Sequence, residues 1–172
     1  TALSKEHVDH LKRFTKKIVL SYDGDKAGQA ATAKALEELK EFSVEVVRVP
    51  DAMDPDEYLQ KNSAEDLAYL LTKTRISPIE FYIQQLKPEN SDNLQAQIEF
   101  IEKIAPLIAK EKSITAQNSY IHILADNLPS FDYQQVEQIV NESRIVQRQE
   151  RVKENPRPVA ISLPVTRQLT AV

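Results

Sequence analysis

A chain of 172 residues is long enough for one ordinary domain, or for a small domain with an appended subdomain and a tail, and too short for two full enzymatic domains. With 41% hydrophobic and 28% charged residues, and no apolar run near the ~20 residues of a membrane span, the composition is that of a soluble globular protein and excludes membrane insertion. A net charge of -4 argues against a general nucleic-acid clamp, and zero cysteines rule out disulfides and thiolate metal sites, so the expected compartment is the cytoplasm.

In chain order, Ser4 reads as a helix N-cap with Leu3 and Val8 as a hydrophobic staple, and Val8, Leu11 and Phe14 give that helix an apolar side ending near Lys16. The apolar run Ile18 to Tyr22 predicts a strand buried on both faces of a parallel sheet, closed by Asp23-Gly24-Asp25. A helix fits Lys26 to Lys40, with Ala27, Gly28, Ala31, Thr32, Ala35, Leu36 and Leu39 on one side, small enough to sit close to a sheet. Val44 to Val49 is a second β-branched strand ended by Pro50, and strand, helix, strand makes a crossover with parallel strands.

Everything after Asp54-Pro55-Asp56-Glu57 reads helical. Helices are expected from about Pro55, after Ser63 and after Ser77-Pro78, where proline suits the first helical position. Leu94, Ile98, Ile101, Ala105 and Ile108 mark a longer helix with an expected kink at Pro106, followed by Ile114 to Leu128. Asp132 to Gln135 forms a capping box opening the last helix. Beyond about Gln149 the periodicity fails, and Pro156, Pro158 and Pro164 predict an extended linker. The expected divisions are residues 1–75, 76–150 and 151–172: an α/β part, a helical subdomain and a linker. Two parallel strands do not make a stable sheet alone, and Thr1 is not an initiator methionine, so further strands are expected upstream.

The chemistry concentrates at Asp23 and Asp25, at the carboxyl end of a buried strand, where open α/β sheets bind ligands. Two ionised carboxylates ~5 Å apart at an effective dielectric of ~20 repel by roughly 3 kcal/mol, which a divalent cation relieves. Oxygen ligands without Cys or nearby His point to Mg²⁺ or Mn²⁺. The chain has 2 glycines, Gly24 and Gly28, and both fall here, where close backbone approach needs them. The alternative is that Asp25 merely caps the helix from Lys26 and Asp23 is a turn residue. Asp54 and Asp56 follow the second strand, so the two acidic pairs could converge; equally, Asp54 is a good N-cap with Pro55 at N1 and Glu57 at N3.

Thr1-Ala2-Leu3 before a helix, then Val19-Leu20-Ser21-Tyr22-Asp23-Gly24-Asp25-Lys26-Ala27-Gly28, then Val49-Pro50-Asp51 and Asp54-Pro55-Asp56-Glu57-Tyr58, resemble the Toprim region of DnaG-type primases in order and spacing. The later helices and proline-bearing tail are similar in architecture to the helical end of the primase polymerase domain and its linker. The resemblance implies a Toprim-like parallel sheet, incomplete in this chain, and DNA-templated synthesis of short RNA primers by nucleotidyl transfer. It implies a two-metal Mg²⁺ or Mn²⁺ site, nucleoside triphosphates, a single-stranded DNA template and a monomer. By position, Asp23 and Asp25 match the family's catalytic, metal-binding Asp-x-Asp, and Asp54 and Asp56 its second acidic pair. The family's catalytic glutamate, its basic template surface, its zinc-binding domain and the domain that meets the replicative helicase have no counterpart here, so this chain alone is expected to be inactive.

Two other readings compete. A haloacid-dehalogenase-type phosphotransferase also places Asp-x-Asp after an apolar strand and would make Asp23 a nucleophile. Against it, Lys26 stands where that family has Thr or Val, and no glycine follows Gly28 to build its later metal motif. A non-catalytic interaction module would use the helices from Ile79 to Gln149 for docking and the acidic residues as caps. His7, His10 and His122 read as surface residues, and Tyr69, Phe81, Tyr82, Phe100, Tyr120 and Phe131 as helix-helix contacts. Lys5, Lys12, Arg13, Lys16 and Lys17 outnumber Glu6 and Asp9 in the first helix, the signature of a solvated face, with a weak DNA-facing role as the alternative.

Overall fold

The computed structural model describes residues 3–23, 25–50 and 53–154, with side chains to 150. Gly24, Asp51 and the predicted linker from residue 155 onward lie outside the described residues. The elements are α1 (Lys5–Leu11), β1 (Lys17–Tyr22), α2 (Lys26–Glu38), β2 (Ser43–Arg48), α3 (Pro55–Lys61), α4 (Ala64–Lys73), α5 (Pro78–Leu86), α6 (Leu94–Ala109), α7 (Ile114–Ala125) and α8 (Tyr133–Glu154). The two strands pair in parallel, from Lys17 opposite Ser43 to Tyr22 opposite Arg48. Serine and aspartate caps set the helix starts: Ser63 and Ser77 accept from the N3 amides, and Asp66 and Glu80 reach back to the cap amides. The hydrogen bonds from the Ser63 hydroxyl and amide hold the Asp66 carboxyl below its ordinary range.

β2 is the strand that the fold encloses. One face, through Val46, joins Leu20, Tyr22 and Val44 against Leu36 of α2 and Phe81 of α5. Its other face, Val47 and Val49, packs on Met53, Tyr58, Leu67, Leu70 and Leu71 of the α3-α4 region. Its free edge is closed by Ile76, which exchanges two backbone hydrogen bonds of 2.8 and 2.9 Å with Val46. β1 differs from expectation. Lys17, Val19 and Ser21 on one face are exposed, Val19 at 38%, because α3 and α4 lie beneath β2 alone. The run Ile18 to Tyr22 reads as doubly buried because it is mostly apolar, yet only the period-2 face toward α2 is covered.

The second core belongs to the helices. Residues Phe100, Ile101, Ile104, Ala105 and Ile108 of α6 recur at helical spacing and pack on Ile121, Leu124 and Leu128 around α7 and on Val136 and Val140 of α8. α5 is shared between the two cores, since Phe81 faces the sheet and Ile83 faces α6. Several expectations need correction. α1 ends at Leu11 rather than near Lys16, and Phe14 lies outside it, 74% exposed. α7 ends at Ala125 rather than at Leu128, whereas α6 is the expected single long helix, with Pro106 inside it and its end at Ala109. α8 runs to Glu154, past the expected failure at Gln149, because polar Arg, Gln, Glu and Lys are good helix formers even without an apolar stripe. Tyr69 is 64% exposed and fills no helix contact, while Phe81 and Phe100 are buried as expected.

One buried polar side chain ties the helical part together. Gln97 is fully enclosed; its amide donates to the Ser91 carbonyl at 2.7 Å and the Ser130 hydroxyl at 3.0 Å, and its carbonyl accepts from the Ser130 amide at 3.0 Å. Gln97→Leu keeps the volume but strands the Ser130 amide and the Ser91 carbonyl. Urea unfolding should therefore show a loss of about 1–3 kcal/mol, against near-neutral behaviour for an exposed control such as Gln95→Leu.

Candidate metal centre

Both strands point their carboxyl ends the same way because they are parallel, so the residues after Tyr22 and those after Arg48 emerge on one side of the sheet. Asp23 leaves β1 directly. Its exposed carboxylate takes no hydrogen bond and no ion pair among the described residues. The first turn of α2 presses against its backbone: a Cβ on Gly28 would lie 2.3 Å from the Asp23 carbonyl oxygen and 3.0 Å from the Asp23 Cβ. A hydrogen atom at that position is thus a steric requirement for holding Asp23 at the sheet end.

The other expected ligands are already engaged. Asp25 is the N-cap of α2, and its Oδ1 accepts from the Gly28 amide at 2.6 Å. Asp54 is the N-cap of α3, accepting from the Glu57 amide at 2.8 Å while Glu57 reaches back to the Asp54 amide at 3.4 Å. Asp56, one residue into α3 beyond Pro55, is exposed and accepts from the Gln60 side chain at 3.0 Å. Capping engages one oxygen each of Asp25 and Asp54 and leaves the other for a cation, so the cap and ligand readings coexist chemically. Among the described residues no three Asp, Glu or His side chains surround a point that a metal could occupy.

Two features escape the sequence. A hollow of about 330 Å³ lies between β1 and α2, bounded by Leu3, Tyr22, Asp23, Gly28, Ala31 and Ala35. The small residues at positions 28, 31 and 35 of one helix face are its local signal, but they read as close packing to a sheet. Beside it, Tyr22, Gln29, Arg48, Gln84 and Gln85 line a small polar cleft under Phe81. Burial pushes the Tyr22 hydroxyl above its ordinary range, and the positive charge of Arg48 offsets part of that rise. No sequence pattern links Arg48 to glutamines that lie beyond three further helix starts. His7 also surprises: its Nδ1 accepts from the Ser4 amide at 3.2 Å, completing a capping box where Glu or Gln is usual.

Residues 1–59 match a Toprim-like family. The chain is 52% identical over 141 residues to a DNA primase of Lactococcus lactis, covering 82% of this chain and 22% of that protein. It is 30% identical over 158 residues to a DNA primase of Enterococcus faecalis, covering 88% of this chain and 25% of that one. The chain belongs to the DnaG-type primase family. Among solved structures, the RNA polymerase domain of Mycobacterium tuberculosis primase DnaG in complex with double-stranded DNA superposes with a TM-score of 0.57 at 28% identity, over 74% of this chain and 42% of that one. A DNA primase domain from Pseudomonas aeruginosa, 24% identical with a TM-score of 0.54, shares the fold. The family membership excludes the haloacid-dehalogenase reading. The chain spans less than a third of the length of either primase, so the α/β Toprim-like sheet with a following helical part is common ground, and the rest of the enzyme's chemistry is not.

Gly28→Ala should lower stability by about 1–3 kcal/mol in urea unfolding, since the new methyl meets backbone rather than a flexible side chain and the gain of ~1 kcal/mol in helix propensity does not offset it. Asp54→Ala should cost ~1 kcal/mol, whereas Asp54→Ser should stay within a few tenths because serine caps about as well. Equal losses for the two Asp54 variants would show that the carboxylate charge, not the cap, is what stabilises α3.

Proposed function

We propose that residues 1–75 contribute to the metal centre of a primase that makes short RNA primers on a DNA template, with the helices from residue 76 to 154 as a supporting helical subdomain. The observation that carries the reading is the Asp23 carboxylate, without a partner among the described residues and held at the carboxyl end of β1 by the close approach of Gly28. Toprim-like families depend on divalent metals in general. Here the donors are all hard carboxylate oxygens, which fit Mg²⁺ or Mn²⁺ and not zinc. Asp23 would supply an uncommitted ligand, Asp25 and Asp54 their free oxygens, and Asp56 a carboxylate whose contact with Gln60 is easily exchanged. The cation, when bound, supplies charge neutralisation for the triphosphate and activation of the attacking 3′-hydroxyl. The chain's own residues hold that charge in place: α2 fixes Asp23 and Asp25 relative to each other, and the α3 cap fixes the approach of Asp54 and Asp56.

The template reading draws on the Mycobacterium tuberculosis domain, which was solved with double-stranded DNA. Nucleoside triphosphates as substrates, contact with a replicative helicase through a further domain, zinc in an N-terminal domain, a monomeric state and a cytoplasmic location come from the same family reading. Among the described residues no helix is long and apolar enough to cross a membrane. The alternative of a helical docking module without catalysis makes the aspartates caps alone, and it predicts no metal response.

Titration with Mn²⁺ should broaden the NMR signals of Asp23 and Asp25 first, at millimolar rather than micromolar metal given so few rigid ligands, and the effect should vanish in an Asp23→Ala, Asp25→Ala variant. In the intact primase, Asp23→Asn and Asp25→Asn should abolish primer synthesis while template affinity stays near normal, because that affinity is carried by cations. Near-normal synthesis by either variant would remove it from the mechanism. Asp56→Ser should leave unfolding unchanged and raise the metal concentration needed for synthesis; an unchanged requirement would confine the site to the first pair.

A further inference from the structure

Phe14 is 74% exposed, more than any other large hydrophobic side chain among the described residues. It stands in the turn between α1 and β1, its ring 5.0 Å from that of His10 and tilted by 54°. The turn is tied down rather than loose. The Phe14 and Thr15 amides donate to the Leu11 carbonyl at 3.0 and 3.1 Å, the Thr15 hydroxyl donates to the Lys17 carbonyl at 2.8 Å, and the Ser43 amide donates to the Lys16 carbonyl at 2.9 Å. In the same turn and at the start of β1, Arg13, Lys16 and Lys17 are exposed and make no ion pair among the described residues. The neighbouring Lys12 differs, bridging Asp9 at 3.4 Å and Glu41 at 3.1 Å. Those contacts also raise the Lys12 ammonium above its ordinary range, the Glu41 hydrogen bond being the largest cause. A chain of net charge -4 thus carries, within three residues of an exposed aromatic ring on a hydrogen-bonded turn, three exposed cations that make no ion pair among the described residues.

We propose that this patch is a contact for single-stranded nucleic acid, with a base stacked on Phe14 and the flanking phosphates met by Arg13, Lys16 and Lys17. Charge complementarity selects a polyanion, and a solitary aromatic ring selects one with a π-face at each repeat, since an exposed base stacks on any aromatic side chain regardless of its identity. Phe14 precedes β1 whereas Asp23 follows it, so the six-residue strand separates patch and acidic site by about 20 Å. A bound strand at the patch would be held away from the acidic end of the sheet, where repulsion from four carboxylates would oppose it. The proposal adds a strand-holding surface to the primase reading and takes from that reading only the identification of the strand as template.

The test is fluorescence anisotropy of a labelled oligo-dT with the 172-residue chain over a series of salt concentrations. Phe14→Ala should weaken binding by about tenfold, Phe14→Tyr should restore it, and Arg13→Ala, Lys16→Ala, Lys17→Ala together should lower the slope of log affinity against log salt by about 2. Circular dichroism spectra matching the parent would show that all variants fold, as the exposure of these side chains leads one to expect. Unchanged affinity in Phe14→Ala, or an unchanged salt slope in the triple variant, would overturn the proposal. Loss of binding to phosphatidylserine vesicles in the same variants, with no oligonucleotide binding by the parent, would overturn it in favour of an anionic membrane surface. Mn²⁺ broadening at Asp23 should persist in every patch variant, so a failure at the patch is distinguishable from failure of the metal-centre reading.

Discussion

The candidate centre depends on one close approach, that of the first turn of α2 to the backbone of Asp23. With 2.3 Å between a would-be Cβ at position 28 and the Asp23 carbonyl oxygen, no side chain fits, and glycine is what lets the helix start directly beneath the strand end. Asp25 consequently falls at the N-cap, where one oxygen is spent on the Gly28 amide. Thr32, one turn farther on, returns its hydroxyl to the Gly28 carbonyl at 2.9 Å and seals the helix face against the sheet. Asp23, lying outside the helix and beyond the last ladder position, has no hydrogen-bond partner among the described residues. An unsatisfied carboxylate at a surface is stable in water, but next to a second carboxylate it carries a repulsion that a cation removes.

The sheet is asymmetric in a way that explains the rest of the α/β part. β2 is buried on both faces and bridged at its outer edge by Ile76, whereas β1 is covered on one face. Burial of Val46, Val47 and Val49 recruits helices from both sides, and those helices start at the caps Asp25, Asp54, Ser63 and Ser77. α5 joins this arrangement to the helical part by carrying Phe81 into one core and Ile83 into the other. The Tyr22-Phe81 edge-to-face contact, with centroids 5.3 Å apart at 84°, places α5 directly behind the strand that leads to Asp23. Movement of the helical part would thus be felt at the carboxyl end of the sheet.

Polar groups inside the helical part are few and fully used. Gln97 fixes the Ser91 and Ser130 loops to α6, Gln117 links the Glu111 carbonyl to Arg144 of α8, and Gln147 donates to the Pro106 carbonyl at 3.0 Å. The last contact stabilises the end of α6, where carbonyls run out of helical donors. Such pairings specify which helices neighbour each other, since an apolar stripe alone accepts many partners.

The sequence by itself determined the features that depend on neighbours within one turn or one strand. The caps at Ser4, Asp25, Asp54, Ser63 and Ser77 were legible because donor and acceptor lie three residues apart. The parallel strand order was legible from the strand-helix-strand run, which returns the chain in the same direction, and with it the placing of both acidic pairs after strand ends. Tertiary structure decided which of those local options were used. Phe14 and Tyr69 read as packing residues and are outside, Phe14 because α1 ends at Leu11 before reaching it. β1 looks like a two-sided strand and is one-sided, because α3 and α4 settle under β2. Asp54 and Asp56 follow a strand at its carboxyl end, but no periodicity reports whether two loops on separate strands converge. Those outcomes are set by contacts between residues distant in the chain, whose energies are summed only when the whole surface is buried at once.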